Sequence, residues 1–444
     1  MTILPTCRDV VTPTGEFMRW FAGRLAVEES TVIQIDFAEL AGWYFAADSG
    51  NLVHRSGRFF TVAGLQVEVE SGPVSGWSQP MLFQPETGVL GMLVKRFGGV
   101  LHCLIQAKME PGNHNRLQLS PTVQATRSNY TAVHGGRPVP YLEYFRAAAP
   151  SNVLADVIQA EHGTWFYQKR NRNLVVETVD EVEIEEGFCW LSLDQMYGLL
   201  AVEDLVNMDS RSVLACLPYT GAGGPVRHTV DEILSWLTDL RSCRDMGARP
   251  VPLRDVAAWH VYPDRISHES GAFFDVRAVA VSGGRREVSG WSQPVIAPHG
   301  IGVVAFLTAR FDDVPHVLVQ ARNEPGCVDF TELGPTVQCV PDNYRHLPAE
   351  ARPALLDLVL DAPHAAILFD ALLSEEGGWF YHARSRYLVV EVDPARTAEA
   401  TAPGPDGPAR YRWMTIAQLA ALLRHSHYLN VQARTLIVSL RGLT

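Results

Sequence analysis

The chain has 444 residues, 47% of them hydrophobic and 19% charged, with a formal net charge of −12. That apolar content supports large cores and excludes a disordered chain, and the length asks for two or three domains. The acidic balance excludes a general phosphate-backbone binder, so no nucleic-acid partner is expected.

Seven cysteines, at 7, 103, 189, 216, 243, 327 and 339, form no Cys-x-x-Cys pair and no Cys/His cluster, so neither a disulfide framework nor a structural metal is expected. The first residues, MTILPTCRDVVTPTGEF, lack the basic segment and apolar run of a secretory signal, and every apolar stretch is broken well short of about twenty residues. A cytoplasmic protein without a membrane partner is the expectation.

In chain order, Glu16–Leu25 carries Phe17, Trp20 and Phe21 at helical spacing. Arg58–Val69, Val89–Phe97, Val100–Met109 and Thr122–Ala125 have the length and β-branched content of strands. A helix is predicted over Asn152–Ala160, a strand from beyond Trp165 to Glu177, and a short helix over Ser192–Ala201. Gly221-Ala222-Gly223-Gly224-Pro225 then reads as a linker. After it come predicted helices over Asp231–Arg241 and Pro353–Leu373, a strand from beyond Trp379 to Glu391, a Pro/Ala/Gly-rich loop at Thr397–Pro408 and a closing helix over Thr415–Leu423. Mixed segments without regular βαβ alternation predict an α+β fold on antiparallel sheet.

The second half repeats the first. Ser75–Pro80 and Ser289–Pro294 both read SGWSQP, 214 residues apart. The same offset carries His102 onto His316, Glu110-Pro111-Gly112 onto Glu324-Pro325-Gly326, Pro121–Gln124 onto Pro335–Gln338, Asn129-Tyr130 onto Asn343-Tyr344, and Trp165-Phe166-Tyr167 onto Trp379-Phe380-Tyr381. Later it drifts to 223, for Asn207/Asn430 and Arg211/Arg434. Two tandem homologous domains are expected, 1–222 and 223–444.

Alternation along 102–110 puts His102, Gln106, Lys108 and Glu110 on one strand face, matched by His316, Gln320, Arg322 and Glu324. A solvated sheet face explains one such strand; its repetition favours a pocket. Trp77, Ser78 and Gln79, with Trp291 and Gln293 opposite, offer a flat stacking surface beside hydrogen-bonding groups, or equally a turn with a core Trp. His114 has Val328 opposite it, and a lone loop histidine is usually a bystander. No dinucleotide or P-loop spacing occurs, and the acidic run Glu181–Glu186 reads as a surface loop, so no cofactor and no catalytic metal are expected.

The paired SGWSQP motifs, Gln106–Gly112, Ser120–Tyr130 and Leu333–Cys339 resemble the NDP-hexose 2,3-dehydratases over nearly the whole chain. That resemblance implies a cofactor-free lyase acting on an NDP-4-keto-6-deoxyglucose, dTDP-linked in the first instance, in deoxysugar biosynthesis for an antibiotic or similar natural product. It also implies a Nudix-like fold in each half, a homodimer, and a 3-ketoreductase acting downstream. The Nudix metal signature is absent, so hydrolase chemistry does not follow.

Such an elimination needs an acid, a base, donors for an enolate oxygen and a clamp for the diphosphate. Lys108, Glu110, His114 and Tyr130 are assigned the acid and base work. Gln106, Arg127 and Asn129, with His102 and the Trp77–Gln79 motif, are assigned substrate binding. Trp291, Gln293, His316, Gln320, Arg322, Glu324, Asn343 and Tyr344 form a second, vestigial pocket, to which Asp329 and Glu332 add carboxylates. A non-catalytic sugar-nucleotide binding protein is the alternative from another class, and a Nudix-type hydrolase a weaker one.

Overall fold

The computed structural model describes residues 12–126, 139–221, 223–243, 246–283, 290–404 and 408–443. The first repeat contributes α1 (Thr14–Ala26), β1 (Thr31–Ile35), β2 (Trp43–Phe45), β3 (Leu52–His54), β4 (Thr61–Val69), β5 (Gly76–Phe83), β6 (Gly88–Phe97), β7 (Val100–Met109), β8 (Leu117–Ser120), β9 (Val123–Ala125), α2 (Leu142–Arg146), β10 (Val153–Ala160), β11 (Arg170–Glu177), β12 (Phe188–Ser192), α3 (Leu193–Leu199) and α4 (Met208–Ala215). The second contributes α5 (Val230–Ser242), β13 (Met246–Val251), β14 (Trp259–Val261), β15 (Arg265–His268), β16 (Phe274–Ser282), β17 (Gly290–Pro298), β18 (Gly302–Phe311), β19 (Val314–Asn323), β20 (Thr331–Gly334), β21 (Val337–Cys339), α6 (Leu356–Leu360), β22 (Ile367–Ser374), β23 (Arg384–Glu391), α7 (Ala398–Thr401), β24 (Tyr411–Thr415), α8 (Ile416–Leu422) and α9 (Val431–Arg441).

The α+β class and the duplication hold, but two predicted helices do not. Asn152–Ala160 is the edge strand β10, and Pro353–Leu373 shortens to α6 followed by the strand β22. Their Leu and Ala residues favour helix locally, yet sheet pairing overrides propensity. On the outer face Arg172 bonds Asp156 through two nitrogens at 2.7 and 2.6 Å, and Arg386 does the same to Asp370 at 2.8 and 2.5 Å.

Each repeat builds a large seven-stranded sheet. In the first its order is β10-β11-β6-β7-β12, with β8 on β7 and β9 on β6; the second repeats this with β22-β23-β18-β19-β24, β20 and β21. The β6–β11 and β18–β23 pairs are parallel and the others antiparallel, so the sheets are mixed.

The smaller sheets are shared between repeats. β1 of the first pairs with β16 of the second, while β13 of the second pairs with β4 of the first. These two strands pair across the boundary expected near residue 222. Gly64 on β4 makes room: a Cβ there would stand 2.4 Å from Val256 Cγ2 and 3.0 Å from the Val251 carbonyl oxygen.

One core cluster spans both repeats around the contact of α4 with α9. Asn207 and Asn430 cap these helices through their side-chain oxygens. Arg211 and Arg434 are fully buried and reach across the contact. Arg211 donates to Thr435 Oγ1 (3.2 Å), Val206 O (2.9 Å) and Ser374 O (2.6 Å); Arg434 donates to Ser212 Oγ (2.8 Å), Leu429 O (2.9 Å) and Ala160 O (2.7 Å). Fixed, always-charged forks at these two positions tie each helix to the end of the other repeat's edge strand.

Candidate active site

The Glu-Pro-Gly turns put residues of both repeats in the same place. Gly112 N donates to Gly377 O at 2.7 Å and Gly326 N to Gly163 O at 2.8 Å. A Cβ on Gly112 would lie 1.9 Å from Phe380 O, and one on Gly326 1.8 Å from Phe166 O, so both turns require glycine. The Trp-Phe-Tyr turns meet between them, with Trp165 and Phe380 centroids 4.6 Å apart and Phe166 and Trp379 5.5 Å apart. Each Glu-Pro-Gly strand end thereby lies against a turn of the opposite repeat.

The SGWSQP motifs join these turns. Trp291 Nε1 donates to Gln293 Oε1, and Gln293 donates to Gly378 O, both at 2.8 Å; Trp77 donates to Gln79 at 2.8 Å, and Gln79 to Thr164 O at 2.7 Å. The assignment crosses over relative to the sequence reading: Trp291 and Gln293 border the Glu110 side, while Trp77 and Gln79 border the Glu324 side. Ser78 holds the exchanged segment, accepting from Ala257 N at 2.8 Å.

In the first site Lys108 Nζ donates to Gln124 Oε1 at 2.6 Å and stands 3.5 Å from Glu110 Oε1, to which Gln124 also donates at 2.8 Å. Close to these lie carboxyls of Glu161 at the end of β10, Asp209 in the first turn of α4, and Glu376 from the second repeat. Atoms of these three lie within 4.8 Å of one another, and all three side chains are buried. Asn171 donates to Glu161 at 2.8 Å. Lys169, also buried, donates to Gln84 at 2.7 Å with its ammonium 5.2 Å from the Phe166 and Trp379 ring centroids.

Both oxygens of Asp209 and one each of Glu110, Glu161 and Glu376 have no hydrogen-bond partner among the described residues. Burial first, then the charges of Glu161 and Glu110, push the Asp209 carboxyl well above the carboxylate range, against the pull of Lys108 and Lys169. Burial, Asp209 and Glu161 do the same to Glu376.

The second site differs at the matching positions. Arg322 replaces Lys108 and donates to Glu324 at 3.0 Å; Gln338 donates to Glu324 at 2.8 Å and accepts from Asn430 at 2.8 Å. Gln432 stands for Asp209 and His162 for Glu376. Gln432 Nε2 bonds His162 Nδ1 at 2.8 Å, and His162 Nε2 lies 3.3 Å from Glu375, which also accepts from Tyr387. Burial opposes the Glu375 charge, but the bond from His162 brings its carboxyl below the usual range. Nearby Glu332 keeps two unpartnered oxygens, and burial pushes its carboxyl up to about 7.

Other expected residues lie elsewhere. His102 and His316 are buried at the start of β7 and β19, bonded to Val100 O and Val314 O and packed edge-on against Phe97 and Phe311. Leu104 interrupts the polar face, and six residues of strand, about 20 Å, separate His102 from Lys108. The two histidines recur because they fill the same packing niche. His114 is exposed, 5.4 Å edge-on from His382. Gln106 is half-buried on β7, Gln320 donates to Tyr411 at 3.0 Å, and Asn343 accepts from Phe273 N at 3.2 Å. Tyr344 lies near Arg322, with its phenol pushed up by burial. Arg127, Asn129 and Tyr130 lie outside the described residues, and Asp329 is 3.4 Å from Arg241.

Sequence reasoning missed Glu161, Lys169, Asp209 and Glu376. Their signal was available as differences between repeats: Asp209 against Gln432, two residues before the matched arginines, and Glu161-His162 against Glu375-Glu376.

The family model described as NDP-hexose 2,3-dehydratase matches residues 14–217 and 230–440. The chain belongs to this family. It is 50% identical over 442 residues, covering 98% of this chain and 92% of the relative, to the dTDP-4-dehydro-6-deoxy-alpha-D-glucopyranose 2,3-dehydratase of Amycolatopsis orientalis. Proteins of the same description from Saccharopolyspora spinosa (45% over 462 residues, 99% of this chain and 93% of the relative) and Streptomyces violaceoruber (46% over 445 residues, 98% of each) are similar throughout.

Proposed function

We propose that the protein is a 2,3-dehydratase that converts dTDP-4-dehydro-6-deoxyglucose to the 3,4-diketo-2,6-dideoxy sugar. The observation that carries this is 45–50% identity, through both repeats, to three proteins described as dehydratases of that substrate. The first site is the active one. The carbon 4 ketone acidifies the carbon 3 proton, so proton removal gives an enolate that can expel the carbon 2 hydroxyl without redox chemistry. Glu110 has an unpartnered oxygen to accept that proton, and Lys108 beside it donates to the enolate oxygen.

The finer reading includes a Nudix-like fold in each repeat, a homodimer, a cytoplasmic setting, natural-product deoxysugar biosynthesis and a ketoreductase that consumes the unstable diketone. Arg127 and Asn129 remain proposed contacts to the sugar and its diphosphate, Tyr130 and His114 remain proposed acid or base groups, and the second site a nucleotide-binding pocket without turnover. Incubation with dTDP-4-dehydro-6-deoxyglucose and a trapping ketoreductase should yield a 2-deoxy sugar nucleotide. Absence of that product at every enzyme concentration would overturn the proposal.

A further inference from the structure

The first site holds more acid than the base and enolate donor require. Four carboxyls (Glu110, Glu161, Asp209 and Glu376) share it with Lys108 and Lys169, and burial beside the other carboxyls pushes Asp209 and Glu376 well above the carboxylate range. At the matching positions of the second site, Gln432 Oε1 is the one buried polar atom without a partner among the described residues, against five carboxylate oxygens in the first. There Gln432, His162, Glu375 and Tyr387 form a continuous hydrogen-bonded chain. In the first site five carboxylate oxygens lack partners among the described residues, including one of Glu110, which comes from a different element than the three clustered carboxyls. Half-buried Lys108 and Gln124 connect this group to the outside. Unpartnered acceptors beside a partly open, cation-bearing strand suit a ligand rich in hydroxyl donors, such as a pyranose.

We propose that Asp209 and Glu376, one from each repeat, hold a proton and act as the general acid that delivers it to the departing carbon 2 hydroxyl. This rests on the dehydratase reading. Glu110 removes the carbon 3 proton, and the C–H electron pair moves onto the carbon 4 oxygen, where Lys108 donates. As that pair returns, it forms the carbon 2–carbon 3 double bond and the carbon 2–oxygen bond breaks. The departing oxygen takes the proton from the Asp209–Glu376 pair and leaves as water. The resulting enol loses its carbon 3 hydroxyl proton and gains one at carbon 2, giving the diketone; the proton on Glu110 returns to the pair through solvent. The two lysines supply positive charge that balances the ionised members of the group, so a hydroxyl-bearing ligand and shared protons satisfy the site together.

Asp209→Asn and Glu376→Gln test the assignment, with a 2-fluoro-2-deoxy analogue of the keto sugar as second substrate, because fluoride leaves without needing a proton. Each variant should lose at least about a hundredfold in kcat for water loss, with KM nearly unchanged, yet release fluoride within about threefold of the wild-type rate. Glu110→Gln should lose both reactions. An amide already stands at the position of Asp209 in the second repeat, and thermal melting of both variants checks that each is folded.

Normal water loss in both folded variants would overturn the acid assignment, and so would fluoride release that falls as far as water loss. Activity that disappears on dialysis against EDTA and returns with Mn²⁺ would replace the shared proton with a cation. If the wild type eliminates neither water nor fluoride, the dehydratase reading itself fails.

Discussion

The two sites are built by the same fold from matching positions, and they differ in how their buried polar groups are satisfied. In the second, Arg322 faces Glu324, and His162 faces both Gln432 and Glu375. In the first, two lysines face four carboxyls, with five carboxylate oxygens unpartnered among the described residues. A buried polar network that satisfies itself rigidifies; one left short of partners stores a demand that a substrate can meet. The first site thus leaves five carboxylate oxygens unpartnered among the described residues, where the second leaves Gln432 Oε1 and the two oxygens of Glu332.

Glu110→Gln against Glu324→Gln is the sharpest way to break this comparison. The first should lower kcat by at least about a hundredfold, the scale of a lost general base, while the second should change kcat by less than about fivefold and act through stability. Steady-state assays paired with thermal melts separate the outcomes, and equal losses of kcat would make the sites functionally equivalent. Gly112→Ala and Gly326→Ala come next. Either forces its turn away from an opposing carbonyl, at a cost of about 1–3 kcal/mol in urea unfolding, but only Gly112→Ala should also lower kcat by about tenfold or more.

Arg434→Met removes three hydrogen bonds, two of them between repeats, and strands buried carbonyls, and should cost about 3 kcal/mol in urea unfolding. The smallest expected effect is pH-dependent. Glu332 rises from 4.5 to about 7 on folding, so the unfolded chain releases its proton first and stability falls as pH rises through that window. Glu332→Gln, which installs the residue found at Gln118 in the first repeat, should flatten the fall in urea midpoint between pH 4.5 and 7.

Much of the fold was legible. The helix predicted over Asp231–Arg241 is α5 within one residue at each end, because its apolar spacing and capping box agree. β7 was placed over the residues it occupies. β10 and β22 were hidden because their Leu and Ala content is helix-favouring and their stabilising partners are distant in sequence. Lys108 and Glu110 were visible through repetition, but repetition also elevated His102 and His316, whose shared constraint is packing. Glu161, Asp209 and Glu376 were illegible as a group, since only the crossing of the Glu-Pro-Gly turns against the opposite repeat gathers them.

The exchange of β1 and β13 has a consequence for how the chain is made. During synthesis, the sheet containing β2 to β5 has an open β4 edge until residue 251 leaves the ribosome, and β1 has no partner until residues 274 to 282 follow. Counted from the end of β5 to the end of β13, the first repeat therefore spends the synthesis of about 170 further residues with unpaired strand edges, the condition in which nascent chains associate with one another. Folding of the small sheets waits for the second repeat, and a message truncated at the linker would yield a first repeat with β4 unpaired along its β13 edge and β1 without a partner.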